Sequence, residues 1–156
     1  MEKIRVLFVC LGNICRSPMA QFVFQDRIDK LNLSDRFYID SKATSYEEYG
    51  NSPHLGTIRK LNKENIRVLP HKSDVLEKAD YDNFDYIIGM DSSNYRNIIR
   101  IIGEDKYNKV SLFLDFSDRP RDIADPWYTG NFDKTYSDIL EGIEGFIKYL
   151  KEKSLI

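Results

Sequence analysis

The chain is short of several things, and each shortage removes a class of protein. It has two cysteines in 156 residues, Cys10 and Cys15, both in one short stretch, so no disulfide framework of the secreted kind can be drawn. No apolar run approaches the length of a membrane span, and Met1-Glu2-Lys3 leads straight into a strand-like segment without the plan of a secretory leader. Basic and acidic residues nearly balance, 23 against 25 for a net charge of -2, so the excess of positive charge expected of a general nucleic-acid binder is missing. Internal repeats, low-complexity tracts and linkers are also absent. What remains is 42% hydrophobic and 31% charged, the balance of a globular chain, and long enough for one domain with a buried core. The expectation is a single domain over residues 1–156, located in the cytoplasm, with no nucleic-acid partner and no membrane span.

The most informative stretch runs from Val6 to Pro18, VLFVCLGNICRSP. Ile4, Val6, Leu7, Phe8 and Val9 form a nearly continuous apolar run, the pattern of a strand buried on both faces of a parallel sheet. Ser17 suits an N-cap and Pro18 a first helical position. Between strand and helix lie Leu11, Gly12, Asn13, Ile14, Cys15 and Arg16, whose amides can turn inward as a nest for a tetrahedral anion, aided by the helix N-terminus. Gly12 and Asn13 are the residue types that most readily take left-handed backbone conformations in such a turn.

Cys10 closes the strand and opens this loop, which puts its sulfur beneath a phosphorus atom held by the amides. Backbone N–H groups, a helix N-terminus and the Arg16 guanidinium favour the thiolate form of a cysteine, the form that attacks. Arg16 offers a planar fork that can hold two phosphoryl oxygens at once, a geometry lysine cannot copy. Phosphoryl transfer depends mostly on positioning and charge stabilisation, which amides and one guanidinium can supply without a metal. Ser17 can donate its hydroxyl to the sulfur. Taken alone, Cys10 and Cys15 also fit a disulfide or half a metal site; Arg16 between a strand and a Ser-Pro helix start makes the phosphate reading far more specific.

Beyond the loop, apolar spacing predicts a helix from about Pro18 to Leu31, a second strand over 37–41 and a surface loop from Thr44 to Pro53. A helix over 55–65, a short extended piece at 67–69 and a turn at Pro70-His71 follow. Tyr86-Ile87-Ile88 reads as a buried strand and Asp91 as the cap of a helix whose apolar residues Tyr95, Ile98, Ile99 and Ile102 fit its spacing. Val110 to Phe113 reads as the fourth strand. A long loop carries Asp125, and a final helix over about 132–151 shows a continuous apolar face. Strand and helix alternate, so the fold class is α/β, a single domain with a four-stranded parallel sheet flanked by helices on both faces and a phosphate-binding loop after the first strand.

The string VCLGNICRSPMA closely resembles the active-site loop of the low-molecular-weight protein tyrosine phosphatases, whose signature is Cys-(x)5-Arg-Ser. Asp125-Pro126-Trp127-Tyr128 looks like the second motif of that family, and the stretch from Phe84 to Asp91 with Asn94 is also family-like, so the resemblance spans nearly the whole chain. It implies a protein-tyrosine phosphatase that works through a phosphocysteine, with Cys10, Arg16 and Asp125 as the catalytic residues and no metal or other cofactor. Asp125 would protonate the leaving oxygen and later accept a proton from water. The amides from Leu11 to Ser17 would bind phosphate, with Ser17, Ser41 and His71 in support. Trp127 and Tyr128 would line the substrate crevice beside Glu47, which stands where relatives usually place an aromatic. The implied partners are phosphotyrosine proteins or peptides, met by a monomer or weak dimer. Ile14 stands where the related arginine phosphatases carry threonine, which favours the tyrosine class. An arsenate reductase of the same architecture and a non-catalytic phosphate-binding module are the rival readings. The closeness of Cys15 to Cys10 suggests a reversible disulfide within the loop.

Overall fold

The computed structural model describes residues 2–156. Four strands, β1 (Ile4–Cys10), β2 (Phe37–Ala43), β3 (Tyr86–Gly89) and β4 (Val110–Leu112), form one sheet in the order β2-β1-β3-β4. All neighbours run parallel. The helices are α1 (Arg16–Lys30), α2 (Leu55–Lys63), α3 (Asp80–Asn83), α4 (Ser92–Ile102), α5 (Pro126–Thr129) and α6 (Phe132–Glu152).

β1 explains why helices cover both faces. Alternate side chains of a strand face opposite ways, and here both directions are apolar. Val6, Phe8 and Cys10 enter the larger core with residues of α1 and α6, including Phe24, Ile139 and Phe146. Leu7 and Val9 enter the smaller one with Ile87, Ile98 and Ile102. The chain leaves β1 for β2 on one side, then returns to β3 on the other, so the strand order reverses beside β1. Crevices in open parallel sheets form where the order reverses, at the carboxyl ends of the strands. Cys10 is the last residue of β1.

α6 approaches closely enough that glycine is required. A Cβ on Gly142 would lie 2.8 Å from Cγ of Phe113, a distance no real methyl tolerates, so the helix seats its bare backbone on the Phe113 ring.

Several expectations need correction. α1 begins at Arg16, with Cys15 at the N-cap, rather than at Pro18. Ser17 does not cap, because its hydroxyl is engaged by Cys10 and Asn13. Pro18 still falls in the first turn, where its missing N–H is not needed. Tyr95 is 38% exposed, and Ile98 and Ile102 carry the buried face of α4. Residues 67–69 join no strand, and Phe113 opens a short 3-10 turn, Phe113–Phe116, instead of ending β4. The four-residue helices α3 and α5 have too little length for a periodic signal and were not expected.

Candidate active site

Residues 11–15 carry the chain from β1 into α1. Of the two residues expected in the left-handed region only Asn13 takes it, at φ 56°. Gly12 serves differently: a Cβ there would sit 3.2 Å from Cγ of Glu48, so its bare Cα lets the neighbouring loop close over it. Among the described residues no backbone carbonyl accepts from the N–H groups of Gly12, Asn13, Ile14 or Cys15. Buried amides left without acceptors inside the fold are the feature an anion satisfies.

Asn13 is fully buried and organises the loop from behind. Its Nδ2 donates to Ser17 Oγ at 2.8 Å and to Ser41 Oγ at 2.9 Å, which leaves Oδ1 as the acceptor for His71 Nε2 at 2.9 Å. The network therefore assigns the His71 proton to Nε2. Burial pushes the pKa of His71 below the usual histidine value, against the opposing pull of Asp40 and Asp74, so the ring is neutral in neutral solution. Since Ser17 Oγ accepts from Asn13, its own proton is free for Cys10 Sγ, 3.0 Å away. The Ser17 N–H also points at that sulfur, at 3.4 Å. The result is a directional chain of donors running from His71 through Asn13 and Ser17 to the sulfur.

Arg16 is 2% exposed and held tightly at Nη1, loosely at Nη2. Nη1 donates to Asp91 Oδ2 at 2.6 Å and to the Ile123 carbonyl at 2.9 Å. Nη2 makes a longer contact of 3.3 Å with Asp125 Oδ2, and Nε is buried with no partner among the described residues. Nε and Nη2 form one edge of the guanidinium fork, the edge that grips two oxygens of a tetrahedral anion. Burial opposes the charge, but Cys10 and the hydrogen-bonded Asp91, with Asp125 behind them, outweigh it and raise the pKa of Arg16. Cys15 shows the reverse. Burial, then the Cys10 and Asp125 charges, pushes its thiol up to about 12, so Cys15 stays protonated beside a sulfur that accepts two hydrogen bonds. Both cysteines are free.

Asp125 caps α5, accepting from Trp127 N–H at 3.0 Å through Oδ1 while Oδ2 faces Arg16. Pro126 fills the first helical position. The motif far down the sequence is thus brought to the phosphate loop. The crevice has Cys10, Leu11, Gly12, Ile14 and Cys15 at its base, Glu47 and Glu48 from the loop after β2, and Asp125, Trp127 and Tyr128 from the last motif. Trp127 is steadied edge-on against His54 at 5.6 Å, and His54 stacks on Phe132 at 5.3 Å. Tyr128 is 77% exposed. Tyr46 and Tyr49 pack on each other at 6.2 Å and do not line this crevice.

Three site residues carry little distinguishing signal in the sequence. Asp91 reads as a helix cap, and it is one, accepting from Asn94 N–H at 2.8 Å through Oδ1; its other oxygen takes Arg16. Ser73 donates to the Gly12 carbonyl at 2.8 Å. His54 supports Trp127. An Asp after a strand that ends at the crevice was the available clue to the first; only three-dimensional proximity reveals the others. Lys42, next to Ser41, pairs with Asp80 at 3.0 Å and reaches Asp74 at 3.9 Å, which ties the 71–76 segment behind the loop to the end of β2.

The thiol that ends β1, the acceptor-free amides after it and the Asp125 carboxyl meet at one crevice, with the Arg16 guanidinium in contact with that carboxyl; together with the parallel sheet this is the arrangement of a cysteine-dependent phosphatase. The chain belongs to the low molecular weight phosphotyrosine protein phosphatase family, whose model matches residues 5–155. It is 41% identical to the low molecular weight phosphotyrosine protein phosphatase of Schizosaccharomyces pombe over 94% of this chain and 97% of that one. It is 39% identical to the protein-tyrosine-phosphatase PtpA of Staphylococcus aureus, covering 93% and 92% respectively. The crystal structure of YfkJ from Bacillus subtilis superposes with a TM-score of 0.94 at 35% identity, covering 98% of each chain.

Proposed function

We propose that this chain is a single catalytic domain that hydrolyses phosphotyrosine in proteins and peptides through a phosphocysteine at Cys10. The observation that carries the reading is the partnerless Nε of Arg16, buried with a loosely held Nη2 beside a loop of acceptor-free amides that follows Cys10. A phosphoryl group bound there receives the loop N–H groups and the arginine fork, and its phosphorus stands over the sulfur. Cys10 Sγ attacks in line, the P–S bond forms, and the P–O bond to the phenol breaks. Occupation of the fork releases Asp125 from its 3.3 Å contact; the freed carboxylate takes up a proton from solvent and passes it to the departing oxygen as the P–O bond breaks. In the second step water attacks the phosphocysteine, Asp125 takes its proton, and the sulfur leaves with the Ser17 hydroxyl donating to it. Charge develops on equatorial oxygens that face preorganised donors, the condition under which such stabilisation is largest.

Ring selectivity follows from the walls. Trp127 and Tyr128 flank a slot whose base includes the side chain of Ile14, 8% exposed, an apolar contact suited to a phenyl ring rather than to a guanidinium. The substrates are phosphoproteins, met by a monomer in the cytoplasm, where both loop thiols stay reduced. The test is a parallel assay of one peptide carrying phosphotyrosine, phosphoserine or phosphoarginine. The phosphotyrosine form is expected to lead in kcat/KM by about tenfold or more, roughly 1.4 kcal/mol of transition-state preference. Preference for phosphoarginine, or no hydrolysis of any, would overturn the reading.

A further inference from the structure

Ser73 lies between α2 and α3 and is 1% exposed. Its hydroxyl donates to the Gly12 carbonyl at 2.8 Å. Its N–H donates to the Asn51 carbonyl at 2.8 Å, and its carbonyl accepts from Gly50 N–H at 2.9 Å. One residue therefore joins the phosphate loop to the loop that carries Glu47 and Glu48.

The contact with Gly12 bears on the cradle itself. A trans peptide directs its C=O and its N–H to opposite sides, and none of the described peptides is cis. A Gly12 carbonyl held toward Ser73 leaves the next N–H, that of Asn13, facing away from Ser73. Little else holds this peptide. Gly12 has no side chain to restrict rotation, and Asn13 sits at φ 56°, outside the broad backbone basins. The bonds to Asn13 Oδ1 from His71 at 2.9 Å and from Asp74 N–H at 3.3 Å fix the side chain, not the peptide before it. Rotation of the Gly12–Asn13 peptide would exchange a donor for a carbonyl oxygen, and attraction for a phosphoryl oxygen would become repulsion.

We propose that Ser73 is a positioning residue that locks the Gly12–Asn13 peptide so that the Asn13 N–H donates to the phosphoryl group. The assignment rests on the phosphate-cradle reading of the loop and adds a residue to it. Ser73→Ala deletes the hydroxyl without adding bulk, and Ser73→Thr keeps a hydroxyl in place.

The experiment measures inhibition by inorganic phosphate, kcat and KM for p-nitrophenyl phosphate, and the Asn13 amide resonance with and without phosphate. In Ser73→Ala the inhibition constant for phosphate is expected to rise about tenfold, the loss of a hydrogen bond to a charged group of roughly 1.5 kcal/mol. The Asn13 amide is expected to move downfield on phosphate addition in the parent, to respond weakly in Ser73→Ala, and to recover in Ser73→Thr. A merely structural role would lower the melting temperature without singling out that resonance. An unchanged phosphate affinity in Ser73→Ala with an unchanged Asn13 response overturns the assignment while leaving the cradle intact. A parent protein that neither binds phosphate nor hydrolyses the aryl ester overturns both. Should Ser73→Ala not fold, Ser73→Cys takes its place, since a thiol is a much weaker donor: a weakened phosphate affinity with a weakened Asn13 response supports the assignment, and parental values of both overturn it.

Discussion

Replacing Asp91 with asparagine keeps the shape of the side chain and removes one acceptor. The carboxylate uses both oxygens, Oδ1 for the Asn94 N–H at 2.8 Å and Oδ2 for Arg16 Nη1 at 2.6 Å. An amide has one oxygen, so Asp91→Asn must either abandon the cap of α4 or turn an NH₂ group toward a guanidinium that has nothing to accept with. Losing a cap costs about 1 kcal/mol, and losing a hydrogen bond to a charged group about 1.5–3 kcal/mol. The upper figures for breaking a buried ion pair, about 3–5 kcal/mol, do not apply, because Asp91 is 21% exposed and Arg16 keeps the Ile123 carbonyl and Asp125. A loss of about 2 kcal/mol is expected, which in a chain of this size lowers Tm by roughly 4–8 °C. Activity should fall further than stability suggests, by about 10- to 100-fold in kcat/KM, since a fork freed on one side no longer presents Nε and Nη2 at a fixed angle. The assay is thermal unfolding with and without vanadate, alongside steady-state hydrolysis of p-nitrophenyl phosphate. Vanadate, by supplying acceptors to Arg16, should narrow the Tm gap. Parental Tm and parental kcat/KM in Asp91→Asn would refute the view that this carboxylate aims the arginine.

Two further outcomes follow from other parts of the molecule. Asp125→Ala should lower kcat on phosphotyrosine about 10²- to 10⁴-fold, the usual range for a general acid, and less for an ester whose phenolate leaves easily; equal loss on both would contradict a proton-donor role. Glu141 is held down to about 2, chiefly by its hydrogen bonds to Arg121. A depressed carboxyl adds stability above its ordinary value of 4.5 and loses it as pH falls toward 2, so Tm should decline through that window, by a small amount because the pair is surface-exposed. Arg121→Gln should flatten that decline, and an unchanged profile would contradict the linkage.

The parts of this protein that were legible in the sequence are those where a local pattern and the final environment agree. β1 is apolar in both directions because it is covered on both faces, and α6 repeats its apolar residues through five turns against one core. Cys10 and Arg16 are close in sequence because one loop holds both, which is why their pairing stood out. What the pattern hid is what depends on distant chain. The start of α1 moved to Arg16 because the Ser17 hydroxyl serves Cys10 rather than the helix end. Asp91 showed only the half of its function that acts locally. Ser73 and His54 have neighbours of ordinary composition, and their partners, Gly12 and Trp127, lie 61 and 73 positions away. Tyr95 fits the helical spacing, yet it is 38% exposed, and the buried face of α4 is carried by Asn94, Ile98 and Ile102.

In the proposed reaction the sulfur of Cys10 becomes covalently phosphorylated, which the mass of the protein quenched during turnover of an excess of p-nitrophenyl phosphate reads directly. A phosphoryl adduct on the peptide containing Cys10, missing in Cys10→Ser and accumulating when Asp125→Asn slows the attack by water, is the expected result. Turnover at the parental rate in Cys10→Ser, or a phosphoryl group found only on another residue, would contradict the account.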